Sequence, residues 1–190
     1  MLVRPRAIVA ALALVGALVG CESRREPPPP AEAPKLDPDV ALAERARDEL
    51  QKRLMGRVMQ AVAEHGHAEA VEVCSREATA ITNAVGEELG VRIGRTSPRT
   101  RNPENEPPPW ARELLVDVPT VARHARDQDG ALHVIFPIFV GEPCLRCHGA
   151  EGDLAPGVKD ALAARYPDDH ATGYAAGDLR GWFWVEVPPR

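Results

Sequence analysis

Aromatic residues are scarce in this chain: three tryptophans, three phenylalanines and two tyrosines, 4% of 190 residues. Hydrophobic residues reach 44%, enough for a core. That core must be mostly aliphatic, which leaves room for another group to fill part of the interior. Methionine is rarer still, with none after Met59. Net positive charge is absent: the chain carries a formal −5, which argues against nucleic-acid binding through a basic face. No internal repeat is visible. No apolar run reaches the ~20 residues of a membrane-spanning helix. The longest, Ala7–Gly20, has 14.

That run belongs to the N-terminus, MLVRPRAIVAALALVGALVGC. Arg4 and Arg6 form a positive n-region, and Ala7–Gly20 forms the apolar region of an export signal. It closes on Leu18-Val19-Gly20-Cys21, which resembles the lipobox of bacterial lipoproteins. In that class the signal is cut before the cysteine and lipid is added there, which holds a protein on a membrane without spanning it. The expectation is a signal over residues 1–20 and a lipidated Cys21. Residues 21–38 then form a proline-rich linker and 39–190 the domain, on the periplasmic face of a bacterial membrane. Four consecutive prolines, Pro27–Pro30, favour a semi-rigid polyproline II spacer.

The body of the chain begins with helix composition. From Asp39 to about His65 there is no proline and a single glycine. A second helix is expected from about Ala68 to Leu89. On it, Val71, Cys74, Ala78, Ile81 and Val85 fall within roughly an 80° arc, so Cys74 points inward. Residues 91–95 are a short strand candidate, 96–110 a long proline-rich loop of the kind that often serves function, and 111–117 a short helix. TVARHAR (120–126) and ALHVIFPIFV (131–140) flank DQDG (127–130), which reads as a β-hairpin turning at Asp129-Gly130. Pro137 calls for an edge or a bulge in its second strand. Gly157–Tyr166 reads as a helix, and LRGWFWVEV (179–187) as a final strand. Helices followed by an antiparallel sheet make an α+β domain.

The chemistry sits in Cys144-Leu145-Arg146-Cys147-His148. C-x-x-C-H is the signature of c-type haem attachment. Two cysteines three apart can form thioethers to one porphyrin, and the adjacent histidine is placed to bind its iron. A structural zinc site would want a second ligand pair, and the chain has no other CxxC and no HxxxH. A thioredoxin-like CxxC needs a βαβ context that is missing here. One motif implies one covalently attached haem, with His148 as proximal ligand. A dihaem peroxidase would need a second motif, so a redox or sensor protein is expected rather than an enzyme. The opposite iron position has several candidates: Cys74, Met55 or Met59, and the histidines at 65, 67, 124, 133 and 170. On spacing alone Cys74 is equally a small buried apolar residue. An unpaired thiol in an oxidising compartment nonetheless wants a reason.

Four segments together resemble the PAS-like c-type haem domain family with His/Cys axial ligation: AVEVCSREA (70–78), IGRTSPRTRNPENEPPPW (93–110), CLRCHG (144–149) and YPDDHATGYAAGDLRGWFWVEV (166–187). They span nearly all of residues 40–187. The resemblance implies a PAS-like antiparallel sheet flanked by N-terminal helices, with Cys74 ligating iron opposite His148. This chain departs from the family at Pro107-Pro108-Pro109, where an acidic residue is more usual. Arg95, Arg99 and Arg101 in the family-like loop are candidates to contact haem propionates, because guanidinium matches carboxylate geometry. The functions expected are electron transfer or redox sensing. Gas sensing of carbon monoxide or nitric oxide is the alternative. The partners expected are a membrane surface reached through Cys21, a separate redox or signalling protein, and a small gas ligand.

Overall fold

The structure, a computed structural model, describes residues 37–190. The expected export signal, Cys21 and the expected linker up to residue 36 lie outside the described residues. Two long helices come first, α1 (Pro38–His65) and α2 (His67–Leu89). Asp37 caps α1 by accepting from the Asp39 amide at 2.9 Å, with Pro38 in the first turn. Only Gly66 separates the helices. Its φ of 87° lies in the left-handed region, where a side chain would be strained. α2 ends at Gly90, also left-handed.

The remaining elements are β1 (Arg92–Thr96), α3 (Pro109–Leu114), β2 (Arg123–Arg126), β3 (Leu132–Phe139), α4 (Leu145–His148), α5 (Val158–Arg165) and β4 (Leu179–Val187). Among the described residues four strands form one antiparallel sheet in the order β1-β4-β3-β2. The molecule is therefore α+β. The hairpin turns through Asp127–Gly130, and the Asp127 carboxylate accepts from the amides of Asp129 and Ala131. Pro137 sits in the interior strand β3, beside a register shift at Ile138/Phe139. β2 pairs only with Leu132–Ile135. At Pro137 one side of β3 is thus a local edge, and the missing N–H leaves no ladder bond unmade.

The alternation of the strands divides the interior in two. On one face Ile93, Val134, Phe136, Phe183 and Val185 pack against Ala43, Ala46, Leu50 and Leu54 of α1 and Val85 of α2. That core is largely aliphatic. The tryptophans are all on the other face. There Trp182 and Ile135 pack with Ala111, flanked by Trp110 and Trp184. Trp110 stacks on His133 at 4.2 Å and donates to Glu186 at 2.8 Å. Part of the long loop, with α3, thus serves to cover the back of the sheet.

The Trp184 ring lies flat over Gly94 of β1, so a Cβ there would meet ring atoms at 2.3–2.7 Å. Overpacking of this kind destabilises by about 2 kcal/mol or more. Gly94→Ala is expected to lower the denaturation midpoint accordingly, with near-ultraviolet circular dichroism reporting a displaced tryptophan. An unchanged midpoint would contradict this packing.

Candidate functional site

The CxxCH residues form one tight turn. A 3₁₀ turn over Glu142–Cys144 runs into α4, and the Cys144 amide donates to Gly141 O at 2.9 Å. His148 closes α4, with Gly149 as its cap. Its Nδ1 lies 2.7 Å from the carbonyl of Ala171. A carbonyl can only accept, so Nδ1 carries the proton and Nε2 is the nitrogen left with a free lone pair. Burial, and behind it the charges of Arg101 and Arg180, push the His148 imidazole down to about 3. Tyr174 meets the ring edge-on at 6.5 Å.

The helix that carries Cys74 packs onto this turn. Val71 of α2 is buried with Ala155, Val158 and Leu162, and Cys147 lies against the same cluster. Cys74 is one turn further along the same stripe. Cys74, Cys144 and Cys147 are all free thiols. Burial pushes the Cys74 thiol up, while the charges of Arg95, Arg101 and Arg57 act against that rise. Cys147 is also raised by burial, and it feels both Arg101 and Cys74. The structure therefore brings Cys74, Cys147 and His148 into one neighbourhood.

The three loop arginines differ in what they touch. Arg101 pairs with Asp169 at 3.1 and 3.2 Å and donates to the carbonyls of Cys147 at 2.7 Å and Ala171 at 3.3 Å. Arg99 donates to the carbonyls of His170 and Thr172 and lies over the Tyr174 ring at 4.2 Å. Arg95 is on the helix-facing side of β1, two residues beyond the core residue Ile93. Its Nε is buried and has no partner among the described residues. Burial works against its charge, which Cys74 and Tyr166 favour.

Other candidates lie elsewhere. Met55 and Met59 are 42% and 51% exposed. His65, His124 and His170 are exposed. His133 is buried on the tryptophan face of the sheet, away from α2. Several site residues escaped sequence reasoning: Arg57, Asp169, Ala171, Tyr174 and Arg180. Arg180 donates to the Arg99 carbonyl and approaches the Tyr174 ring at 5.6 Å. Asp169, Ala171, Tyr174 and Arg180 carried a signal, since they fall in the family-like segment 166–187, and Arg57 carried none.

Fold and site together define a small α+β domain with a histidine and three thiols around one turn. The chain belongs to the Tll0287-like family, whose model matches residues 39–188. A solved structure, that of the cyanobacterial heme-protein Tll0287, is similar with a TM-score of 0.59 at 24% identity, over 80% of this chain and 96% of that one. No curated protein matches the chain.

The lowered imidazole makes stability depend on pH in the cofactor-free chain. Folded His148 stays neutral down to about 3, whereas unfolded it takes a proton near its ordinary 6.5. Between these values the unfolded state binds more protons, so stability falls as pH falls. The expected loss across that window is at most about 4 kcal/mol. His148→Asn should flatten this part of the stability–pH curve in urea titrations. A variant curve parallel to the wild type would contradict the assignment.

Proposed function

We propose that this domain binds one haem, attached through Cys144 and Cys147, with His148 and Cys74 as the axial ligands, and serves a one-electron redox role. The observation that carries the reading is the packing of the Cys74 helix onto the CxxCH turn. The residues fit the group. His148 presents Nε2 because Nδ1 is bonded to Ala171 O. Cys74 offers a thiol whose surroundings hold three guanidinium groups. Arg95 has a buried donor without an acceptor, which a propionate would satisfy. Arg99 and Arg101 would then brace the wall next to it through the carbonyls they hold. The similar solved chain is itself named a heme-protein.

When bound, a haem supplies reversible one-electron chemistry at its iron. The chain's own residues set its conditions. A thiolate donor from Cys74 favours the oxidised state and should give a lower potential than histidine–methionine ligation. The Ala171 carbonyl fixes the tautomer of His148 and raises its basicity as a ligand. A PAS-like description of the sheet goes with this reading. So do export, a lipid on Cys21, a position on the periplasmic face of a membrane, and a separate redox or signalling partner. The role is that of a carrier or sensor rather than a catalyst.

A switching role is the second reading, and one observation favours it. Burial pushes the Cys74 thiol up, so the neutral thiol is the easier form to keep in this pocket once iron holds it less tightly. Carbon monoxide would then bind the reduced protein, as it would not if Cys74 stayed in place.

Absorption and EPR spectra of the haem-loaded chain test the ligation. The wild type should give a ferric low-spin thiolate signature, and Cys74→Ala should lose it while keeping covalent haem. Identical spectra would remove Cys74 from the iron.

A further inference from the structure

We propose that Arg57, clamped by Glu77, is a positioning residue for Cys74, and that its Nη1, which has no acceptor in the cofactor-free chain, becomes the donor to the Cys74 sulfur once that sulfur is a thiolate on iron. This rests on the ligation reading above and names a residue that tunes it. Arg57 lies on α1 and Glu77 on α2, on opposite sides of the Gly66 turn. Arg57 donates Nε to Glu77 at 2.7 Å and Nη2 to the other carboxylate oxygen at 2.9 Å. That is the two-pronged pairing that fixes a guanidinium plane. Glu77 is three residues after Cys74, so the two side chains share one side of α2. The clamp uses one edge of the guanidinium and leaves Nη1 over. Nη1 is buried and has no hydrogen-bond partner among the described residues. A buried donor without an acceptor is costly.

The neighbouring arginine shows what is distinctive. Arg53, one turn earlier on α1, spends Nε on Glu49 and both terminal nitrogens on Glu88. Arg57 keeps a donor in hand on the side of α2 that carries Cys74. Its charge is among those that act on the thiol. A donor to a metal-bound thiolate draws electron density from sulfur, and a nearby positive charge favours the reduced centre. Both effects raise the reduction potential. Together they moderate a ligand that would otherwise hold the centre strongly oxidised.

The test is the midpoint potential and ferric EPR spectrum of the haem-loaded full chain. Arg57→Met should lower the potential and move the g-values while leaving the thiolate signature in place. Arg57→Lys keeps the charge but not the two-pronged clamp. It should recover part of the potential, with g-values still displaced. Arg53→Met should match the wild type in both. If Arg57→Met shifts neither quantity beyond Arg53→Met, the proposal is overturned. If Arg57→Lys equals wild type in both, charge alone acts and the hydrogen bond is overturned. Should Arg57→Met fail to load haem, Arg57→Lys decides by the same criterion. A Cys74→Ala protein with an unchanged ferric spectrum would bring down the ligation reading, and this one with it. A persistent thiolate signature with an unmoved potential would bring down only the role of Arg57.

Discussion

Arg101 ties together three segments that are far apart in the chain. Its guanidinium holds Asp169, the carbonyl of Cys147 and the carbonyl of Ala171. The same Ala171 carbonyl takes the proton of His148 Nδ1. The loop after β1, the CxxCH turn and the segment before β4 therefore meet at one mostly buried side chain. Removing one partner of such a pair leaves the other charge stranded, at a cost of about 3–5 kcal/mol. The tautomer of His148, and so the nitrogen it can offer, depends on this junction.

The charge distribution follows a similar logic. The chain as a whole is acidic, yet Arg57, Arg95, Arg99, Arg101 and Arg180 surround one helix face and one turn. Among the carboxylates nearby, Glu77 and Asp169 are each committed to one arginine. Arg99 is occupied by carbonyls and by the Tyr174 ring. Arg95 and Arg57 each keep a buried donor without a partner among the described residues, as does the Tyr174 hydroxyl. An anionic group with two carboxylates and a thiolate contact would meet both arginines. A neutral apolar ligand would meet neither.

Much of this architecture was legible in the residues. The two helices separated at Gly66, the hairpin at Asp129-Gly130 and the strand at 179–187 stand where composition and alternation place them. The inward stripe containing Val71 and Val85 also held. The short helix near 111–117 proved to start earlier, at Pro109, because proline is at home in a first turn. Other features had no local signature. The burial of His133 depends on Trp110 of the short helix α3 folding back across the sheet. The use of Arg99 and Arg101 on backbone carbonyls depends on a segment about seventy residues later. The pairing of Arg57 with Glu77 depends on how a helical hairpin closes. Such contacts arise from tertiary placement, and no window of sequence contains both partners.

In the proposed ligation a sulfur from α2 and a nitrogen from the CxxCH turn share one iron. X-ray absorption at the iron edge of the haem-loaded ferric protein reads the ligand set directly. The account predicts one sulfur and five nitrogen neighbours, with the sulfur replaced by a lighter atom or lost in Cys74→Ala. Six light neighbours in the wild type, with no sulfur, would contradict it.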